Sequence, residues 1–263
     1  ATACDDRITG LSELELAALR AEVALVTADG VFQDISILQD PGIQDLGFGG
    51  VGMRGLAGDA GLEAGPGQGG QCQGQGQGSW RCQGMLRDGF TIDRTVTFFD
   101  INGLQMEAFE EGVTDKIAMV VDASGTVERN FWSATITRHR DMTLEGLTTD
   151  RHTANGTKTE EVSRSGNPQD GIERSFAMTG SATIQNLVHG VPRSEYPYPL
   201  DGTITRHVHV VVMENGTLKG ERDVTAVITF NGTQFATMTV DGESWQIDLT
   251  KRRVMGRFGP HHG

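Results

Sequence analysis

The segment TRHVHVVV sets His207 and His209 two residues apart. On a β-strand successive side chains point to opposite faces, so both imidazoles share one face. Two imidazoles at that spacing supply part of a zinc or copper ligand set if a neighbouring strand adds a third ligand, and Asp223 is one candidate. The plainer reading is a solvated His-x-His on a polar face, shared with Thr203 and Thr205. Ile204, Val208, Val210 and Val212 then take the opposite face. His261 and His262, at the end of the chain, carry no such pattern.

Other chemistries find less support. Nucleophilic catalysis needs a base beside an activated Ser or Cys, and no G-x-S-x-G elbow occurs in the chain. GFGGVG matches G-x-G-x-x-G at Gly47, Gly49 and Gly52. A dinucleotide site needs a helix after that turn, and Gly55, Gly58 and Gly61 break any helix there. DINGLQ opens like a calcium loop but lacks the later ligands. With 35 acidic residues, sequence spacing singles out no catalytic carboxylate pair. The reading is a protein with no catalytic residues and no cofactor; a metal-dependent enzyme built on His207 and His209 ranks third among the functions considered.

The cysteines say more about setting. Cys72 and Cys82 flank a Gly/Gln stretch and are expected to pair, closing a ring that stabilises by ~2–3 kcal/mol. Cys4, within ATACD, resembles the end of a bacterial lipobox and is the expected lipid-attachment residue; three residues precede it where a processed lipoprotein would begin at the cysteine. A disulfide and an export-like N-terminus both point to an oxidising envelope compartment. The expected location is the periplasm or the outer face of a bacterial membrane, with the membrane contacted through the N-terminal lipid. Tyr196 and Tyr198, stiffened by Pro197 and Pro199, and Trp80 are candidate partner contacts, because rigid aromatics make good anchors. Edge-of-core packing is the plainer role for the tyrosines.

These residues need a scaffold, and its elements are partly legible. Ser12-Glu13-Leu14-Glu15 is a capping box, and Leu16, Leu19, Val23 and Val26 recur on one helical face until Asp29-Gly30. That helix lies within an N-terminal segment, 1–46. A Gly-rich arm, 47–90, follows. From Thr91 the pattern alternates, and 91–263 reads as an antiparallel β domain. Ser124-Gly125 and Asn155-Gly156 read as hairpin turns. Strands near 203–214, 217–230, 233–240 and 243–249 are separated by Asn215-Gly216, Asn231-Gly232 and Asp241-Gly242, dipeptides that supply the positive φ of tight turns. The expected fold is mainly β: an antiparallel, meander-rich sheet, curved, sandwiched or barrelled, with a short N-terminal helix.

Composition bounds the partners. Apolar residues are 37% and aromatics 6%, which suits a thin, sheet-like core. A net charge of -13 repels phosphate backbones, so nucleic acid is not an expected partner. Apolar runs are strand-sized, too short for a helical membrane span.

YPLDGTITRHV, TFNGTQFATMTVDGESWQIDL and TANGTKTEEVSRSG resemble segments of uncharacterised Thr/Gly-rich, lipoprotein-like envelope proteins of Gram-negative bacteria. The resemblance implies an exported β-rich protein and carries over no catalytic residue. The combined expectation is a non-enzymatic exported binding or structural protein. It would be an extrinsic accessory subunit docking on a larger membrane protein assembly or other envelope protein, a respiratory or photosynthetic reaction-centre complex being one such host. The alternative is a periplasmic carrier of a lipid or other apolar ligand.

Overall fold

The computed structural model describes residues 71–257, apart from 76–77, 88–89, 130–131, 167–172, 193, 241–242 and 251–252. Cys4, the expected helix at 12–29 and His261–His262 lie outside the described residues. What is described is all-β: thirteen strands in one antiparallel sheet. They are β1 (Gln71–Gly74), β2 (Ser79–Arg87), β3 (Phe90–Asp100), β4 (Gln105–Met106), β5 (Thr114–Arg129), β6 (Trp132–Glu145) and β7 (Arg151–Gly166), then β8 (Arg174–Gly190), β9 (Asp201–Glu214), β10 (Thr217–Thr229), β11 (Phe235–Val240), β12 (Glu243–Asp248) and β13 (Arg253–Arg257). Each strand pairs with its neighbours in the chain, save β4, which lies off the path and pairs only β3 while β3 pairs β5. Among the described residues the first strand opens at Gln71, so the last part of the Gly/Gln stretch is a β-hairpin continuous with the later strands.

Strict alternation explains why the strands form and how they face. On β3, Ile92, Arg94, Val96 and Phe98 are buried while Thr91, Asp93, Thr95 and Thr97 are not. On β9, Ile204, Arg206, Val208 and Val210 are buried and His207 is exposed. One face is therefore a core and the other is solvated, the usual economy of antiparallel sheets. The buried face holds three apolar clusters. Phe98, Ile117, Met119 and Val121 lie in one; Met178, Val208, Val210 and Val224 in another; Ile204, Ile228, Met238 and Ile247 in the largest.

The turns divide by whether the dipeptide signal met the right surroundings. Asn215 (φ 49°) and Gly216 (φ 72°) make the tight turn expected between β9 and β10. Asn231-Gly232 turns within a longer connection, where the Asn231 side chain accepts from the Thr233 N–H. Two expected turns are instead strand. Ser124-Gly125 lies inside β5, which continues to Arg129, and Asn155-Gly156 lies inside β7. The chain actually reverses before β7 at Gly146 (φ 78°). Gly156 is required for a different reason: a Cβ there would run into the backbone of Asp141 and the side chain of Met142 on β6. Asn155 sits at a bulge between β7 and β8, and its side chain accepts from the Asn186 N–H.

Candidate functional site

On the solvated face, the histidine pair meets partners from β10 by register. His207 lies opposite Thr225, and its Nδ1 is 2.9 Å from the hydroxyl. His209 lies opposite Asp223; its Nδ1 is 2.9 Å from that carboxylate and its Nε2 is 3.5 Å from Glu221. Asp223, one candidate for a third metal ligand, meets His209 as a His–carboxylate pair. Both ring nitrogens of His209 face carboxylates on separate sides, which is not the convergence a metal needs. Among the described residues no group of three or more His, Cys, Asp or Glu converges to hold a metal ion. The same cross-strand motif recurs at His139 and Asp122, 2.7 Å apart on β6 and β5.

The other singled-out residues fall in three places. Backbone register sets Cys72 directly opposite Cys82 across β1 and β2. Cys82 is buried, with an Arg94 guanidinium N–H directed at its Sγ at 3.8 Å. Trp80 packs on its own sheet, against the cluster around Phe98, and its indole N–H donates to the Glu107 carbonyl at 2.9 Å. The two tyrosines separate. Tyr198 packs against the largest core cluster with its hydroxyl 3.0 Å from that of Thr250. Tyr196 is 40% exposed and lays its ring over Gly190, where a Cβ would collide with it.

Sequence reasoning missed a cluster on the buried face. Glu160 on β7 accepts from Arg206 on β9 at 2.9 Å, from Arg138 on β6 at 3.1 Å and from Lys158 at 3.3 Å. Between β7 and β9, β8 contributes only Gly180 and Ala182 at this level, opposite Glu160 and Lys158. Two small residues there let long side chains meet across a strand. Arg94, Arg140, Lys158 and Arg206 also share one row running across the sheet from β3 to β9, through Val121 and Ala182. Burial pushes the Glu160 carboxyl up, but the charges of Lys158, Arg206 and Arg138 outweigh it and hold the group at about 2. Burial alone pulls the Arg94 guanidinium down to about 10.

The signal for this cluster was available. The same period of two that turns His207 and His209 outward obliges Arg206, between Ile204 and Val208, to turn inward. Lys158 and Glu160 sit likewise in phase with Ala154 and Val162. Chemically the cluster is a poor acid–base device at neutral pH. A general acid or base works best with a pKa near the operating pH, and Glu160 is displaced away from it. It is a buried carboxylate held by three cations from three strands, which ties β6, β7 and β9 together in register.

No protein-family model, curated protein or solved structure matches the chain.

Proposed function

We propose that the chain is a non-enzymatic, exported binding or structural protein that docks as an accessory subunit on a larger membrane protein assembly. A lipid on Cys4 would hold it at the membrane, and a Cys72–Cys82 bond would staple its first hairpin. The observation that supports docking is the turn from Asp100 to Leu104. There Ile101 and Leu104 are 70% and 66% exposed. The turn is nonetheless pinned. One Asp100 carboxylate oxygen accepts from the Asn102 and Leu104 N–H groups at 2.9 and 2.8 Å, and the Asp100 N–H donates to the Leu104 carbonyl at 2.9 Å. Those bonds, the Leu104 N–H first, draw the Asp100 carboxyl below its ordinary range. Two apolar side chains on one pinned turn are held mostly in water. They suit a partner pocket, because a pre-ordered anchor loses little entropy on binding.

The staple has its own support. Directly opposed residues on antiparallel strands bring their Cα atoms ~4.5–5.5 Å apart, within the span of a disulfide. Alkylation of the native, unreduced protein should leave Cys72 and Cys82 unlabelled; labelling of both would remove the staple. Docking itself is tested by purifying the tagged full chain in gentle detergent from the cells that make it. The expected result is co-elution with one membrane assembly in fixed stoichiometry. Elution of the chain alone, with lipid bound stoichiometrically in native mass spectrometry, would establish a carrier instead.

A further inference from the structure

We infer that one end of the sheet is the docking surface, and that its partner is a protein with an apolar socket edged by Lys or Arg. The inference rests on the docking reading and names the surface for it. Strand pairing places the connections 101–113, 146–150, 191–200 and 230–234 at one end of the sheet, because Asp100 pairs Thr114, Arg151 pairs Gly190 and Thr229 pairs Thr203. Of the five large apolar residues that are exposed among the described residues, Ile101, Leu104, Val113 and Tyr196 lie in these connections; Leu218 lies at the opposite end.

This end is a continuous rim. The Leu147 N–H donates to the Asp115 carbonyl at 3.0 Å, the Val191 N–H to the Asp150 carbonyl at 2.9 Å, and the Gly232 N–H to the Pro199 carbonyl at 2.9 Å. The Thr148 N–H adds a bond to the Asp115 carboxylate at 3.3 Å. Apolar anchors on a laced rim keep their spacing. Ile101 and Leu104 follow β3 and Tyr196 follows β8, and β3 and β8 are four strand steps apart, about 19 Å. An ordinary interface of ~800 Å² per partner spans that distance, so Ile101, Leu104 and Tyr196 can enter one footprint.

Charge chooses the occupant. The four connections carry Glu107, Glu110, Glu111, Asp150 and Glu195 against Arg193, and Asp100, Asp115 and Lys116 flank the first of them. Lys116 is itself 2.8 Å from Glu145 and lies over the Phe99 ring. An acidic rim around apolar anchors is repelled by an anionic lipid surface and attracted to a basic protein surface.

The test puts a photo-cross-linking residue, one site at a time, at positions 101, 104 and 196, and at 218 and 181 as controls on the opposite end and the solvated face. The tagged full chain is irradiated in the cells that make it, and adducts are identified by mass spectrometry. The expected result is one protein partner joined from 101, 104 and 196 alone, its joined peptide carrying Lys or Arg beside apolar residues. Ile101→Ser combined with Leu104→Ser should lower recovered complex at least tenfold while the thermal midpoint stays unchanged, and added salt should lower it further. Adducts from 218 or 181 only would leave docking in place and overturn this surface. No adduct from any site would overturn both. Sedimentation with phosphatidylcholine–phosphatidylglycerol vesicles, abolished by the same double substitution, would make lipid the occupant and overturn the protein partner.

Discussion

The two faces of the sheet carry the same kinds of groups to different ends. On the solvated face His209 stands between Asp223 and Glu221, its side chain 35% exposed and theirs 85% and 50%. On the buried face Glu160 stands between Arg138, Lys158 and Arg206 and is 5% exposed. Distances are similar, but water screens the first set and is excluded from the second. Exposed pairs contribute ~0–1 kcal/mol, whereas removing one member of a buried set costs ~3–5 kcal/mol by leaving its partners in a poor solvent for charge. Geometry alone does not rank interactions; burial does.

That ranking can be broken by experiment. Glu160→Gln takes the anion from among three cations and should lower unfolding stability by ~3–5 kcal/mol in urea titrations. A loss no larger than that of an exposed pair would erase the distinction between the faces. Arg206→Met should fall in the same range.

Acid should reach the same cluster without mutation. Glu160 titrates near 2 when folded against an ordinary value of 4.5. Its folded value is depressed, so its contribution is fully present above about 4.5 and is lost as pH falls towards 2. The lost stability should be on the order of 3 kcal/mol. Thermal melts of the wild type between these limits should show the slope, and Glu160→Gln should remove most of it, Asp100 keeping a smaller share. A slope of unchanged size would assign the acid response to other carboxylates.

A smaller effect is expected where the buried face is tight rather than charged. Gly156→Ala forces a methyl against Asp141 and Met142. Overpacking of this kind costs ~1–3 kcal/mol, measurable as a shift in urea midpoint at constant slope. Least affected should be the solvated face. Asp223→Asn should change stability by no more than ~0.5 kcal/mol, and that change should fade with added salt. A larger, salt-resistant loss would show that the outer groups are held more firmly than their exposure implies.

Much of the strand pattern could be read from residues alone, and the failures have identifiable causes. Alternation located β3 and β9–β12 to within a few residues, because a half-buried strand must alternate. Asn215-Gly216 turned as expected since nothing competed with it. Asn155-Gly156 did not, because a glycine needed for close approach of β6 is written with the same letter as one needed for positive φ. Of the candidate site residues, the His209–Asp223 contact was foreseeable from type and phase. The Glu160 cluster was not assembled: phase alone sends Lys158, Glu160 and Arg206 inward, but only register shows that they meet. Charged residues within strands also invite a solvated reading by default. The two tyrosines looked equivalent in sequence, yet Tyr198 belongs to the core edge and Tyr196 to solvent.

The sequence by itself determined that the described residues from β3 onward form an antiparallel meander with one apolar and one polar face. It did so because side-chain period and turn chemistry are local properties, settled by a few adjacent residues. Tertiary structure decided which strands lie two apart, so that Arg206 reaches Glu160 over Gly180 and Ala182. It also decided that Tyr196, far along the chain from Ile101, Leu104 and Val113, shares their end of the sheet. Both depend on strand register summed over many residues, a long-range quantity that no single stretch of sequence contains.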